Sequence, residues 1–177
     1  MNPNTLIMKK FLLIAVLFSA CFSYAQENLT QNTIKAVLTG NQDQVLQLAE
    51  AFPEEKYDWR PSEGVNSVGE AFLHVASANY FFASKLGFAP PEDIDMMSIG
   101  KITGKENIIS ALKKSNEFVR DIFTKVEDDS LDDEVDFGFM KMNTLSGLLI
   151  IMEHNGEHKG QLIAYARSNG IVPPWSK

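Results

Sequence analysis

Three features of this 177-residue chain predict an all-α fold, a four-helix bundle of up-down type with long connections. Apolar residues recur at three- and four-residue steps in four separate segments, as they do along the buried stripe of an amphipathic helix. Capping and stop signals punctuate those segments where helices would begin and end. No stretch alternates apolar and polar residues long enough to build a sheet, and there is no internal repeat or low-complexity tract. Four long helices with three connections suggest the bundle.

The first element is not part of the bundle. Lys9 and Lys10 precede an uncharged apolar run from Phe11 to Phe22, followed by Ser23-Tyr24-Ala25. This is the pattern of a signal peptide occupying residues 1–25, cleaved after Ala25. Met8, directly before the lysines, offers an alternative start. The run is well short of the roughly 20 residues that span a bilayer, so an exported protein is expected, not a membrane-inserted one. In a Gram-negative cell its destination is the periplasm. Lipoprotein processing at Cys21 is the competing reading, but Leu17 lies one place too far upstream of Cys21 for a lipobox.

The remaining residues, 26–177, read as a single domain. Ile34, Val37, Leu38, Val45, Leu48, Ala49 and Phe52 mark one stripe on a first helix from about Leu29 to Ala51, weakened at Gly40 and stopped by Pro53. The connection EEKYDWRPSEGVN leads to Ser67 and Glu70, a capping box that opens a second helix running to about Lys85, with Gly87 as terminator. A loop stiffened by Pro90 and Pro91 follows. Thr103 with Glu106 reads as another capping box, opening a third helix whose apolar face is Ile108, Leu112, Val119, Ile122 and Val126. The acid-rich segment EDDSLDDEVD lacks the ligand alternation and central glycine of a calcium loop and reads as solvated. FGFMKM reads as a short extended piece over the bundle end. The fourth helix spans about Thr144 to Ser168 and is ended by Asn169-Gly170, with Pro173 and Pro174 beyond.

Charge narrows the partners. The chain carries a formal charge of −7, and removing the leader takes away two lysines and no acid. So acidic a protein is repelled by phosphate backbones and anionic headgroups, which argues against nucleic acid and membrane surfaces. Cys21, the one cysteine, leaves with the leader. Residues 26–177 therefore hold no disulfide, thiol nucleophile or thiolate ligand, and any metal must be bound by His, Asp or Glu.

The three histidines carry the chemistry. His154 and His158, four apart, put both imidazoles on one face of the fourth helix, near enough to share an ion. Gly147, Ile151, Gln161, Leu162 and Tyr165 share that side, so the pair points toward the interior or its rim. There each ring nitrogen needs a partner. Read singly, the HxxxH pair is a spacing many helices show, and His74, among Phe72, Leu73 and Val75, is a core histidine bonded to a carbonyl. Read together, the whole histidine complement falls on two helices and none in loops. One histidine facing an i, i+4 pair is how bundles hold an ion between helices.

These residues resemble the DinB/YfiT superfamily of four-helix bundles, whose hallmark is a histidine on the second helix and HxxxHxGQ on the fourth. Here the elements are SVGEAFLHVASANYF with His74 and MEHNGEHKGQLIAYARSNGIVPP with His154, His158, Gly160 and Gln161. YDWRPSEG and RSNGIVPP also fit, and the likeness runs from about Leu29 to Pro174. The resemblance implies a divalent metal, zinc or nickel before iron or manganese, held by His74, His154 and His158 with an open position facing a pocket. It also implies hydrolase or thiol S-transferase chemistry on a small molecule, some relatives using bacillithiol or mycothiol. Family members are usually cytoplasmic, so the export signal argues against a cytosolic thiol here.

Around that site, Glu70, one turn before His74, and Gln161, three after His158, are placed to orient ligands or line the pocket. The cap is the bland role for Glu70 and a polar rim that for Gln161. Tyr165 could donate into the pocket or sit in the core. Glu153 and Glu157 lie off the histidine face. Trp59, Arg60 and Trp175 are expected at bundle ends, and Tyr80, Phe81 and Phe82 in the core. No HExxH helix, GxSxG elbow or Gly-rich phosphate loop is present, and no general base is identifiable. Two functions follow: an exported metal-dependent enzyme acting on a small molecule, or a non-catalytic bundle with a structural or carried metal that serves as a binding protein. A homodimer through a bundle face is the expected assembly.

Overall fold

The computed structural model describes residues 28–176; the predicted leader, Cys21 and the alternative start at Met8 lie outside them. Helix α1 spans Leu29–Ala51, α2 Val68–Lys85 and α3 Lys105–Ile122; strands β1 (Glu134–Asp136) and β2 (Lys141–Asn143) precede α4, Thr144–Ser168. Helix α1 packs chiefly on α4 and α2 chiefly on α3, while α2–α4 and α1–α3 contacts close the ring. Helices consecutive in sequence, α1 with α2 and α3 with α4, thus stand across the diagonals. The connection between the adjacent α2 and α3, residues 86–104, is of similar length to the two that cross the diagonals. Among the described residues no helix is long and apolar enough to cross a membrane.

The ends of α2 follow from its sequence. Ser67 Oγ accepts from Glu70 N at 3.2 Å, and Glu70 Oε2 accepts from Ser67 N at 2.7 Å, completing the capping box. The two earlier amides are taken by the preceding connection: Val68 N donates to Trp59 O and Gly69 N to Tyr57 O. A Cβ on Gly69 would lie 3.3 Å from that Tyr57 oxygen, so the close approach calls for glycine. At the far end Gly87 (φ +89°) closes a Schellman turn, with Phe88 N bonded to Ala83 O and Gly87 N to Ser84 O. Asn169 and Gly170 end α4 the same way.

Four expectations need correction. Helix α3 starts at Lys105 behind Gly104 (φ +84°), with no side-chain cap; this puts Glu106 one place too early to close a box with Thr103. Val37 is exposed, because the buried stripe of α1 runs through Gln31, Ile34, Leu38, Gln42, Val45 and Leu48, taking in two polar residues that a search for apolar ones passes over. Phe81 is also partly exposed, whereas Tyr80 and Phe82 are buried as expected. Finally, the chain around FGFMKM is an antiparallel hairpin with Val135 opposite Met142. Its Phe137 is buried against α4 where a Cβ on Gly147 would come within 2.6 Å of the ring. The acidic segment before the hairpin also ties down α1: Asp128 accepts from Asn28 N and from Gln31 Nε2.

The core is divided by a polar layer. One apolar cluster contains Leu48, Phe52, Phe72, Leu112 and Leu162, and the other Leu38, Phe82, Val119, Phe137 and Ile151. Between them each helix contributes buried polar groups: Gln42, Asn79, Ser115 with Asn116, and Asn155. Asn79 Nδ2 donates to Ser115 Oγ (3.2 Å) and Asn116 Oδ1 (3.1 Å), and Asn155 Nδ2 donates to Asn79 Oδ1 (2.9 Å). Gln42 Oε1 accepts from Arg120 Nε at 2.7 Å. Buried amides of this kind are costly unless paired; the bonds of Asn79 to Ser115, Asn116 and Asn155 therefore favour one helix register, while Gln42 Nε2 and Asn155 Oδ1 have no partner among the described residues. His154 is next to Asn155, at this level.

Candidate metal centre

Helix α2 presents His74 and α4 presents His154 and His158 toward one another across the α2–α4 contact. His154 Nε2 lies 3.1 Å from His74 Nε2 and 3.2 Å from His158 Nε2. Among the described residues these three form the one His, Cys, Asp or Glu group able to surround an ion, their ligating nitrogens all within 4.8 Å of one another. His74 lies on the exposed rim and the other two are half-buried. Zinc–nitrogen bonds of ~2.0–2.1 Å in a tetrahedron separate neighbouring nitrogens by about 3.3 Å. The spacing of the triad fits a divalent cation.

The hydrogen-bond pattern around His158 decides its tautomer. Tyr165 O–H donates to the Asn66 carbonyl (3.1 Å), which can only accept. The Tyr165 oxygen accepts from Gln161 Nε2 at 2.9 Å, which turns Gln161 Oε1 toward His158 Nδ1 at 2.7 Å. His158 therefore carries its proton on Nδ1 and presents a bare Nε2 to the triad. This is how a carbonyl or amide partner commonly prepares a ligating histidine. Gln161 and Tyr165 thus join one chain of bonds, and Tyr165 is buried with Trp59 edge-on against it at 5.4 Å.

His154 is different. Burial, with the neighbouring His158 and His74, pushes its pKa down to about 3, and Phe82 stands edge-on to its ring at 5.5 Å. Its Nδ1 is buried without a hydrogen-bond partner. His74 is lowered too, by burial and then by His158, against an opposing pull from Glu157. Both are neutral at pH 7, the form that ligates. His158 Nε2 brings no proton to its contact with His154, so at most one proton can serve the two Nε2 contacts of His154. A cation among the three lone pairs resolves that conflict, and the residues fit the metal on this ground.

Glu70 stands apart from the three histidines. Its carboxylate serves the Ser67 cap and pairs with Arg60 at 3.1 Å, and it is held below the usual carboxylate range by the Ser67 backbone bond and then by Arg60, against the opposing effect of burial. It nevertheless lines a cavity of about 290 Å³ with Asn66, Leu73, His74, Ser77 and Gly100. That cavity opens beside His74, the most exposed of the three histidines. Glu153 and Glu157 are on the exposed side of α4. The part played by the Asn66 carbonyl and by the Phe82 edge was not legible in the sequence, because both depend on which helices become neighbours.

The model of the DinB family matches residues 26–177. The chain belongs to the DinB family. An uncharacterised relative, YjoA of Bacillus subtilis (strain 168), is 28% identical over 146 residues, covering 78% of this chain and 90% of that protein. The crystal structure of the DinB-like YjoA superposes with a TM-score of 0.63 at 25% identity, over 79% of this chain and 93% of the other. A DinB-like protein from Bacillus cereus gives 0.66 at 20% identity, over 77% and 90%. YfiT of Bacillus subtilis, described as a probable metal-dependent hydrolase with an unusual four-helix bundle topology, gives 0.61 at 14% identity, over 80% and 89%. At these identities the last two speak for the fold of this DinB-family protein.

Proposed function

We propose that this DinB-family protein is an exported metal-dependent hydrolase or group-transfer enzyme acting on a small molecule, with His74, His154 and His158 as the metal ligands. The convergence of three imidazole nitrogens beside an open cavity carries the reading. Three neutral ligands leave a divalent ion its full charge, which supplies Lewis acidity to a group bound next to it. Zinc or nickel suits this all-nitrogen set, with iron or manganese as further candidates. The description of YfiT as a probable metal-dependent hydrolase supports the same class.

The protein's own groups have separate tasks. The Asn66–Tyr165–Gln161 chain holds His158 in the ligating tautomer. Phe82 and the apolar core behind His154 keep water from that side, so a substrate enters over His74. Asn66, Ser77 and the Glu70 carboxylate offer it hydrogen-bonding partners along the cavity wall. Export to the periplasm rests on the leader in residues 1–25 and removes the protein from cytosolic thiols, which favours hydrolysis over thiol transfer.

The test is elemental analysis of protein purified from the periplasm without chelators, beside His74→Ala and His154→Ala. About one equivalent of metal per chain, lost in both variants, is expected from the ligand assignment. Turnover of ester, amide or thiol-transfer substrates by the loaded protein then separates an enzyme from a carrier. Full metal content in either variant rejects the ligand set, and absence of the protein from the periplasmic fraction rejects export.

A further inference from the structure

Helix α2 buries every residue from Val68 to Ala83 except Glu70, His74, Ser77 and Phe81. The phenylalanine, 37% exposed, is out of place among them. At 3.6 residues per turn Ser77 and Phe81 stand within about 60° of His74 around the helix, and Phe81 lies about 10 Å further along its axis. Ser77 is the last α2 residue of the cavity beside His74, so Phe81 is the next outward side chain beyond that cavity.

The other bank of this seam is α4. The two helices run antiparallel, because His74 faces His154 while Leu86, just past α2, meets Gly147. From His154 the seam passes the half-buried Ile150 and ends at the hairpin turn. Phe82 stands edge-on to His154 at 5.5 Å and 6.4 Å from Phe137, which is 6.1 Å from Phe139. Aromatic rings thus run from the histidines to the turn. Phe139 and Met140 at its tip are 63% and 59% exposed.

Lys85 ties the turn to the helix. Its Nζ is 5.4 Å over the Phe81 ring, and a Cβ on Gly138 would lie 3.7 Å from the same ammonium. The turn brings Asp136 with it, whose carboxylate accepts from Gly138 N, so Lys85 does not give this end of the seam a sign. Single exposed apolar side chains are ordinary on a surface, but a row of them leading away from a polar cavity marks a ligand groove. We infer that the seam holds the apolar part of the substrate, an uncharged acyl or aryl group of medium length. Its reacting bond sits at the histidines and its tail lies along Ser77 and Phe81 toward Phe139 and Met140. Asn66 and Glu70, on the other side of His74, are left to the polar part. The inference rests on the reading of the histidines as a metal centre.

The probes are alkyl hydroxamates from acetohydroxamate to octanohydroxamate, titrated by calorimetry into the zinc-loaded protein; the head group takes the ion and the chain reports on the groove. Affinity should rise roughly tenfold or more from the shortest to the longest, given the usual gain per buried methylene. Phe81→Ser and Phe139→Ser, both at exposed positions, should each cut that rise by roughly threefold or more. Val37→Ser, at an exposed apolar position on α1, should keep it. Octanohydroxamate should also shift the ring resonances of Phe81, and acetohydroxamate should not. Equal affinity along the series overturns the inference and leaves the metal centre standing, as does a rise untouched by both Phe81→Ser and Phe139→Ser. Failure of every hydroxamate to bind overturns it too, and elemental analysis of the same sample then tells whether the metal centre falls with it.

Discussion

Tyr165 and His158, two turns apart on α4, are joined through Gln161 so that a backbone carbonyl on another segment dictates which nitrogen of His158 is bare. The direction of every bond in the chain follows from one fact: Asn66 O can only accept. Removing the link leaves His158 free to protonate Nε2 instead. Gln161→Leu should therefore weaken metal binding by about 10–100-fold, the usual cost of losing such a partner. Tyr165→Phe should act in the same direction by a smaller factor. Competition with a chromophoric chelator measures both, and nitrogen chemical shifts of the His158 ring report the tautomer in metal-free protein. Unchanged affinity in Gln161→Leu would remove the relay from the account.

Acid should act on the metal-free protein through His154. Its folded pKa, about 3, is below the unfolded value of about 6.5, so between those limits the unfolded chain binds the extra proton. Stability from this group is complete above pH ~6.5 and is lost as the pH falls toward ~3. Urea midpoints of the chelator-treated protein should fall across that window, and more steeply in wild type than in His154→Leu. Metal binding should weaken in acid because only neutral imidazole ligates, with an onset below the ordinary imidazole range for His154 and His74, which burial keeps neutral.

The polar layer makes its own prediction. Asn79 is the hub, donating to Ser115 and Asn116 and accepting from Asn155. Asn79→Ala strands those buried partners and should cost about 2–3 kcal/mol in a denaturant titration, more than one ordinary hydrogen bond. A loss below ~0.5 kcal/mol would mean that the layer repacks or takes in water.

Gly147 tests how the hairpin is seated. A methyl there would come within 2.6 Å of the Phe137 ring and 2.9 Å of Leu86, both packed where α2, the hairpin and α4 meet. Overpacking of this kind costs about 1–3 kcal/mol, although alanine is the better helix former. Thermal unfolding of Gly147→Ala should show a lower midpoint.

Local sequence determined the helices. The capping box at Ser67 and Glu70, the glycines at 87 and 170, and the apolar steps of three and four act within a turn or two of the chain, so α1, α2 and α4 were readable to their ends. Gly104 displaced the start of α3 because its positive φ competes with the cap proposed at Thr103, a contest that spacing alone does not reveal. The i, i+4 relation of His154 and His158 was likewise a local fact, and His74 joined them because the whole histidine complement falls on two helices, a grouping the family resemblance then matched. What needed tertiary structure was everything that depends on which helices become neighbours. The diagonal placement of consecutive helices, the buried Gln42–Asn79–Asn155 layer, the bond from Tyr165 to Asn66 and the aromatic row from His154 to the hairpin turn each join residues far apart in sequence. Polar residues on a buried stripe carry no periodic signal of their own. They acquire a partner only when another helix supplies the other side.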